Sequence, residues 1–237
     1  CGKTQLLKDM LAYMTGSRTE PVLLTDLDLP YPSTWEELIA AYPMNIVDTN
    51  GGLQQLRHIS PTLNAQPAGP QTFNLLNTLK QQLRNTDKRE FRQSTGQGMV
   101  TFLNTDNRLS LTQKCTVQNL QTVGPKNVLE ALYHADIAAP NRIRELVKST
   151  FNTDIYFDYT DPGTLQFRIG NDFSTISENS RVAYSQVSRY PILDNQGDGL
   201  RSYVGMISAL MSLSKPIILL DEPEAFLHPP QAMQLGM

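Results

Sequence analysis

The sequence predicts an α/β fold with its ligand-binding edge at the carboxyl end of a buried strand, and three stretches predict it. The first is Pro216-Ile-Ile-Leu-Leu-Asp221-Glu222-Pro223. Its apolar run Pro216–Leu220 is too short to cross a membrane and suits a strand buried on both faces. Two carboxylates end the run, and Pro223 stops the ladder because it has no N–H to donate. Ligands of open α/β sheets sit beyond the carboxyl ends of the strands, which is where Asp221 and Glu222 fall. The second stretch is Gly2-Lys3-Thr4 and the third is Gly197-Asp198-Gly199, each at the head of a helical pattern. Each stretch also has a plain structural reading: a solvated acidic turn, a chance triplet, an ordinary helix cap. Their order along the chain decides between the two.

Taken in order, Leu6, Leu7, Met10, Leu11 and Met14 recur at helical spacing and predict a helix opening at Gly2 or Lys3. Pro21–Thr25 predicts a short strand. Leu27–Pro32 is irregular because Pro30 and Pro32 interrupt it. Trp35–Tyr42 predicts a helix capped by Ser33 or Thr34, with Glu36 and Glu37 favourably placed in its first turn. Asp48–Gly69 is polar and rich in turn formers, and no element is assigned there. Gln71–Phe91 predicts a helix with Phe73, Leu75, Leu76, Leu79 and Leu83 on its apolar face. Lys80, Arg84, Lys88 and Arg92, with Arg89 beside them, make a basic stripe that is either its wet face or a track for a phosphate backbone.

Met99–Leu103 and Arg108–Thr112 flank Asn104-Thr-Asp-Asn107 and predict a hairpin. Helices follow at Asn127–Ala135 and Pro140–Thr150, where proline suits a helix start. Asp154–Tyr159 and Thr164–Ile169 flank Thr160-Asp-Pro-Gly163, the clearest hairpin in the chain. The helix after Gly197-Asp198-Gly199 carries Leu200, Val204, Ile207, Leu210 and Met211 as its apolar residues. There is no internal repeat and no low-complexity linker, so the middle of the chain is a folded α+β insertion. The expected organisation is 1–30 as the start of a nucleotide-binding lobe, 31–190 as the insertion, and 191–237 as a helix, strand and loop completing the site.

A chain of 237 residues with 40% hydrophobic content can build one large domain or two small ones. Cys1 and Cys115 make no disulfide framework, which favours a reducing compartment, and the expected location is cytoplasmic. No apolar run approaches spanning length, so no membrane partner is expected. The net charge of −3 gives no overall attraction to nucleic acid. The chain opens inside a motif and stops at Met237 in what reads as a helix start. It is therefore expected to be an internal piece of a longer protein.

Gly-Lys-Thr at a helix start is the second half of the phosphate-loop pattern G-x-x-x-x-G-K-[ST]. In that loop backbone N–H groups hold phosphate, Lys adds a point charge and Thr serves Mg²⁺. Adjacent carboxylates beyond a strand suit the same chemistry, one holding Mg²⁺ and one orienting water. Glycines opening the later helix permit close backbone approach, and its free N–H groups suit an anion. Asp221-Glu222-Pro-Glu224-Ala-Phe-Leu-His228-Pro resembles the Walker B motif and D-loop of ABC-type ATPases. Gly197-Asp198-Gly199 lies about twenty residues ahead of Asp221, as the signature motif of that family does.

The three motifs in this order resemble an ABC-type P-loop ATPase of the OLD/RecF/SMC-like group, the AAA-family ATPases of bacterial defence or DNA repair. The match is specific over residues 1–14 and 194–232 and loose between them. The signature lacks the usual Ser-Gly-Gly-Gln wording, no Q-loop glutamine is assigned, and His228 falls too early to be the switch histidine; it reads as a loop or capping residue. The resemblance implies an ATP- and Mg²⁺-dependent ATPase whose subunits close head to tail as a homodimer or higher homo-oligomer. It implies that Gly2 and Lys3 bind phosphate, that Thr4 and Asp221 serve Mg²⁺, and that Glu222 is the catalytic carboxylate. Gly197, Asp198 and Gly199 would cap the γ-phosphate held by the partner. DNA, a nuclease or another effector are the partners this group implies. The alternatives are the nucleotide-binding subunit of a membrane transporter, or an assembly module that binds ATP without turnover.

Overall fold

The computed structural model describes residues 2–25, 27–29, 34, 36–37, 45–48, 54–57, 75–117, 125, 127–136, 138–213 and 217–235; for 45–48, 54–57, 75–77, 97–99 and 234–235 it describes the backbone alone. Contacts divide the chain into two compact units. They group the elements differently from the 1–30, 31–190 and 191–237 organisation. A strand from the middle of the chain joins the first unit, and the helix after Gly197 joins the second.

The first unit holds α1 (Gly2–Met14), β1 (Asn45–Asp48), β2 (Gln54–Arg57), α2 (Leu75–Arg84), α3 (Arg89–Met99), β3 (Val100–Leu103) and β7 (Ile217–Leu220). β3 and β7 pair in parallel, from Val100↔Ile217 to Leu103↔Leu220. Parallel neighbours need a crossover, and the Asn104–Leu213 segment of the second unit lies within that connection. Met14, Val100 and Leu219 are buried together, with Leu7, Met10, Leu11 and Ile217 packed around them. Ile217–Leu220 of the apolar run is therefore a strand, although of these four only Leu219 is buried. The expectation of burial on both faces is corrected: Ile217, Ile218 and Leu220 are half-buried.

α1 stops at a left-handed glycine, Gly16, with φ 64°. Gly16 N–H donates to the Tyr13 carbonyl and Ser17 N–H to Ala12, the paired bonds that close a helix with orphan carbonyls satisfied. Pro21–Thr25 is not a strand. Asp9, buried inside α1, accepts the N–H groups of Val22, Leu23 and Leu24 at 2.9, 2.6 and 3.0 Å on one oxygen, and Gln5 on the other. Three consecutive amides turned to one carboxylate cannot also serve a ladder. Those bonds, led by Leu23, hold the carboxyl below its ordinary pKa against the opposing effect of burial.

The helix expected over Gln71–Phe91 is two helices. Asp87 accepts the N–H of Arg89 and starts α3 afresh. The basic stripe is divided accordingly: Lys80 and Arg84 are exposed on α2, Lys88 turns back to the Leu83 carbonyl, and Arg92 stacks 4.2 Å over the Tyr13 ring. Gln54–Arg57, inside the polar stretch Asp48–Gly69, pairs antiparallel with Asn45–Asp48. The Trp35–Tyr42 helix falls mostly outside the described residues, as do Gln71–Asn74. At Glu37 the N–H donates to Thr34 Oγ1 at 3.2 Å.

The second unit holds α4 (Thr105–Arg108), β4 (Cys115–Thr116), α5 (Val128–His134), α6 (Ala138–Phe151), β5 (Asp154–Asp158), β6 (Thr164–Gly170), α7 (Ser180–Val187), a short 3₁₀ turn at Leu193–Asn195, α8 (Asp198–Ser212) and α9 (Pro229–Leu235). The hairpin around Thr160–Gly163 forms as expected, with Gly163 at φ 81° and β6 central in the order β4-β6-β5. The hairpin expected around Asn104–Asn107 does not form. Asn104 Oδ1 accepts the Asn107 N–H while Asn107 Oδ1 accepts the Asn104 N–H, a reciprocal cap that starts α4. Residues that suit a hairpin tip here serve a helix start.

Two buried aspartates brace the sheet. Asp154 takes a two-pronged bond from Arg144 at 2.7 and 2.5 Å and the N–H of Phe173. Asp158 accepts Thr160 N–H and Oγ1–H, Gln166 Nε2 and Arg168 Nε. α8 is buried continuously from Ser202 to Ala209, while Leu210 is exposed. Of the apolar residues named for this helix, Val204 and Ile207 are buried, and serines and Gly205 share the buried stretch with them.

Candidate functional site

In the first unit, Thr4 and Asp221 meet. Thr4 lies in the first turn of α1, where backbone N–H groups have no helical acceptor and the helix dipole is positive. Asp221 is the first residue past β7. Its own N–H still bonds the Leu103 carbonyl at 2.9 Å, so the ladder fixes its backbone at the carboxyl end of the parallel pair. The Thr4 hydroxyl donates to Asp221 Oδ1 at 3.0 Å, across 217 residues of chain. Asp221 is 8% exposed and Thr4 is half-buried, while Gly2 and Lys3 are exposed on the same helix start. Among the described residues, a Cβ on Gly2 would make an ordinary contact with Leu23 Cδ1, at 3.8 Å.

A hydroxyl and a carboxylate oxygen side by side are hard donors of the kind Mg²⁺ takes. Mg²⁺ characteristically uses one or two carboxylates and leaves its remaining positions to water and substrate phosphates. Among the described residues no group of three or more His, Cys, Asp or Glu converges to hold a metal on its own. Thr4 and Asp221 thus present two oxygen donors of the kind that could hold Mg²⁺.

In the second unit, Glu222 is exposed and left-handed, with φ 47°, and Phe226 is left-handed at φ 69°. Such conformations cost a non-glycine residue about 1–3 kcal/mol each and persist where the surroundings fix them. The Glu222 carbonyl accepts the Ala225 N–H at 2.9 Å and Arg108 Nη2 at 2.8 Å. Leu227 N–H bonds the Glu224 carbonyl at 3.0 Å. His228 precedes α9, and its N–H donates to Gln231 Oε1, which is the capping role. Glu224 is exposed.

Gly197 caps α8 with ordinary extended angles, φ −64° and ψ 152°, and a Cβ there would meet nothing within 4 Å among the described residues. Asp198 is bound by Arg201 at 3.1 Å, and Arg201 also reaches the Leu109 carbonyl. Gly199 differs from Gly197: a Cβ on it would lie 2.6 Å from the Phe226 carbonyl. The close backbone approach expected at Gly199 is present, and it is made by the chain's own turn. Gly199 has no positive φ.

The structure thus joins Thr4 to Asp221 in one unit and Gly199 to the turn after Glu222 in the other. Arg108 was missed by the sequence reading, and nothing in its neighbourhood could have found it, since a lone arginine beside a turn reads as surface. Burial, aided by the Glu130 carboxylate, pushes the Cys115 thiol up to about 11, so it carries little thiolate at neutral pH. No helix among the described residues is long and apolar enough to cross a membrane. Comparison of the chain with protein-family models, with curated proteins and with solved structures gave no match in any of the three.

Proposed function

We propose that this chain carries an ATP-binding and ATP-hydrolysing domain of ABC type, a P-loop fold with a large α+β insertion, acting in the cytoplasm as a homodimer closed head to tail around ATP. The observation that carries the proposal is the Thr4–Asp221 hydrogen bond. Two residues singled out separately for Mg²⁺ by motif wording, at opposite ends of the sequence, are in contact. Lys3, exposed beside Thr4, binds the β/γ-phosphates, and the free N–H groups of the first turn of α1 face the same anion. Thr4 and Asp221 hold Mg²⁺, which supplies charge neutralisation at the transferring phosphoryl group. Glu222 polarises the attacking water, and Gly197, Asp198 and Gly199 serve the partner's nucleotide. The work driven is a DNA-directed or anti-phage activity carried out with a nuclease or other effector.

The test is Glu222→Gln in protein from the complete reading frame. The substitution keeps shape and removes the charge that acts on water. Hydrolysis is expected to fall by about 10²-fold or more while ATP binding persists. Turnover within a few-fold of the parent removes Glu222 from the chemistry.

A further inference from the structure

We propose that Arg108 is a positioning residue for Glu222, an inference that rests on the ATPase reading of that carboxylate. Arg108 is fully buried, at 0% exposure, which is unusual for a charged side chain. Its backbone is clamped: the Arg108 carbonyl packs directly on Gly205 of α8, so closely that a Cβ at Gly205 would collide with it. Its guanidinium runs past the Met206 sulfur, 4.0 Å from Nη1, and delivers Nη2–H to the Glu222 carbonyl at 2.8 Å. The residue it holds is one of two left-handed non-glycine residues in the turn after β7. The other, Phe226, has its carbonyl against Gly199 at the start of α8. The turn is therefore gripped at both ends, at Glu222 by a buried cation and at Phe226 by the helix start.

A left-handed φ at Glu222 sets the direction in which its side chain leaves the backbone. Without the Arg108 bond the carbonyl keeps the Ala225 N–H, but the charged donor that opposes relaxation to ordinary angles is gone. Arg108 touches neither nucleotide nor water in this scheme. It acts through the backbone of the residue that does.

The experiment compares Arg108→Met, Arg108→Lys and Glu222→Gln in protein from the complete reading frame. Arg108→Met keeps the length of an apolar stem and removes the donor. It is expected to lower kcat at least tenfold with KM for ATP within twofold, and to speed amide exchange across residues 222–227. Arg108→Lys restores one charged donor and should return kcat to within a few-fold of the parent. A methionine variant with kcat within twofold of the parent, while Glu222→Gln is inactive, overturns the proposal. So does a loss that follows KM and not kcat. Should Arg108→Met fail to fold, Arg108→Leu, which also lacks a donor, is read by the same criteria. If Glu222→Gln hydrolyses ATP like the parent, the ATPase reading has failed instead; the exchange rates then decide whether Arg108 fixes the turn, and unchanged exchange overturns that too.

Discussion

At the scale of single residues, the Thr4 hydroxyl has two uses, a donor for a buried carboxylate and a proposed ligand for a metal. Thr4→Val keeps the shape and removes the donor, leaving Asp221 without this partner at a cost of about 1–3 kcal/mol. Chemical denaturation should show that loss, and Mg²⁺-dependent ATP binding should fail with it, whereas Thr4→Ser should retain both. An equally stable and active Thr4→Val would separate the hydrogen bond from the site. Asp158 is a purely structural counterpart. Burial raises its pKa, but the bonds from Thr160, Arg168 and Gln166 outweigh it and hold the carboxyl below its ordinary value. The unfolded carboxyl titrates near about 3.9. Its stabilisation is complete above that value and disappears as pH falls through the lower folded pKa. Asp158→Asn leaves Arg168 partly unpaired and should cost about 3 kcal/mol at neutral pH. Urea midpoints measured from pH 7 down to 2 should fall less steeply in the variant than in the parent. Parallel curves would show that another carboxylate carries the acid sensitivity.

At the scale of elements, α8 is held against α4 by the absence of a side chain at Gly205, where any Cβ meets the Arg108 carbonyl. Backbone cannot give way as a flexible side chain can, so Gly205→Ala should destabilise the protein by about 1–3 kcal/mol despite the better helix propensity of alanine. Thermal melts decide this, and an unchanged or raised midpoint would mean that α4 moves freely. The same packing explains what could be read from the sequence. The start of α1, the hairpin around Thr160–Gly163, the strand before Asp221 and the helix after Gly197 were legible because periodicity and turn residues are local signals. What was not legible is tertiary. Asn104 and Asn107 suit a hairpin tip and a helix cap equally until β3 finds β7 as its partner, with Val100 opposite Ile217. Pro21–Thr25 has strand composition, yet its amides go to Asp9, a residue whose burial no helical pattern announces. Of the proposed site, the motif residues were legible from wording, whereas Arg108 depends on a contact spanning 114 positions to Glu222.

At the scale of the whole molecule, the proposal makes each nucleotide site the joint work of two subunits, and the two glycines at the start of α8 are unequal tools for testing it. A side chain at Gly199 pushes on the Phe226 carbonyl of its own chain and would disturb the turn whatever a partner does. At Gly197 a Cβ meets nothing within 4 Å among the described residues and the backbone angles suit any residue, so Gly197→Leu starts without the backbone collision that Gly199 faces and serves as the obstacle to what approaches from outside. It should fold, losing about 1 kcal/mol as a poorer helix cap, and bind ATP through Lys3 and Thr4 while failing to dimerise on nucleotide or hydrolyse it. Lys3→Ala should fail earlier, at binding. In a two-fold dimer built from one copy of each variant, one composite site has both defects and the other has neither. Equal mixing makes about half of the dimers hybrid, so about a quarter of the parent's sites are restored. ATPase rate and sedimentation measured across mixing ratios, on protein from the complete reading frame, give the result. A rate that stays at the level of the separate variants, with both folded and hybrids formed, would put Gly197 in its own subunit's site or in none, and the head-to-tail arrangement would fall with it.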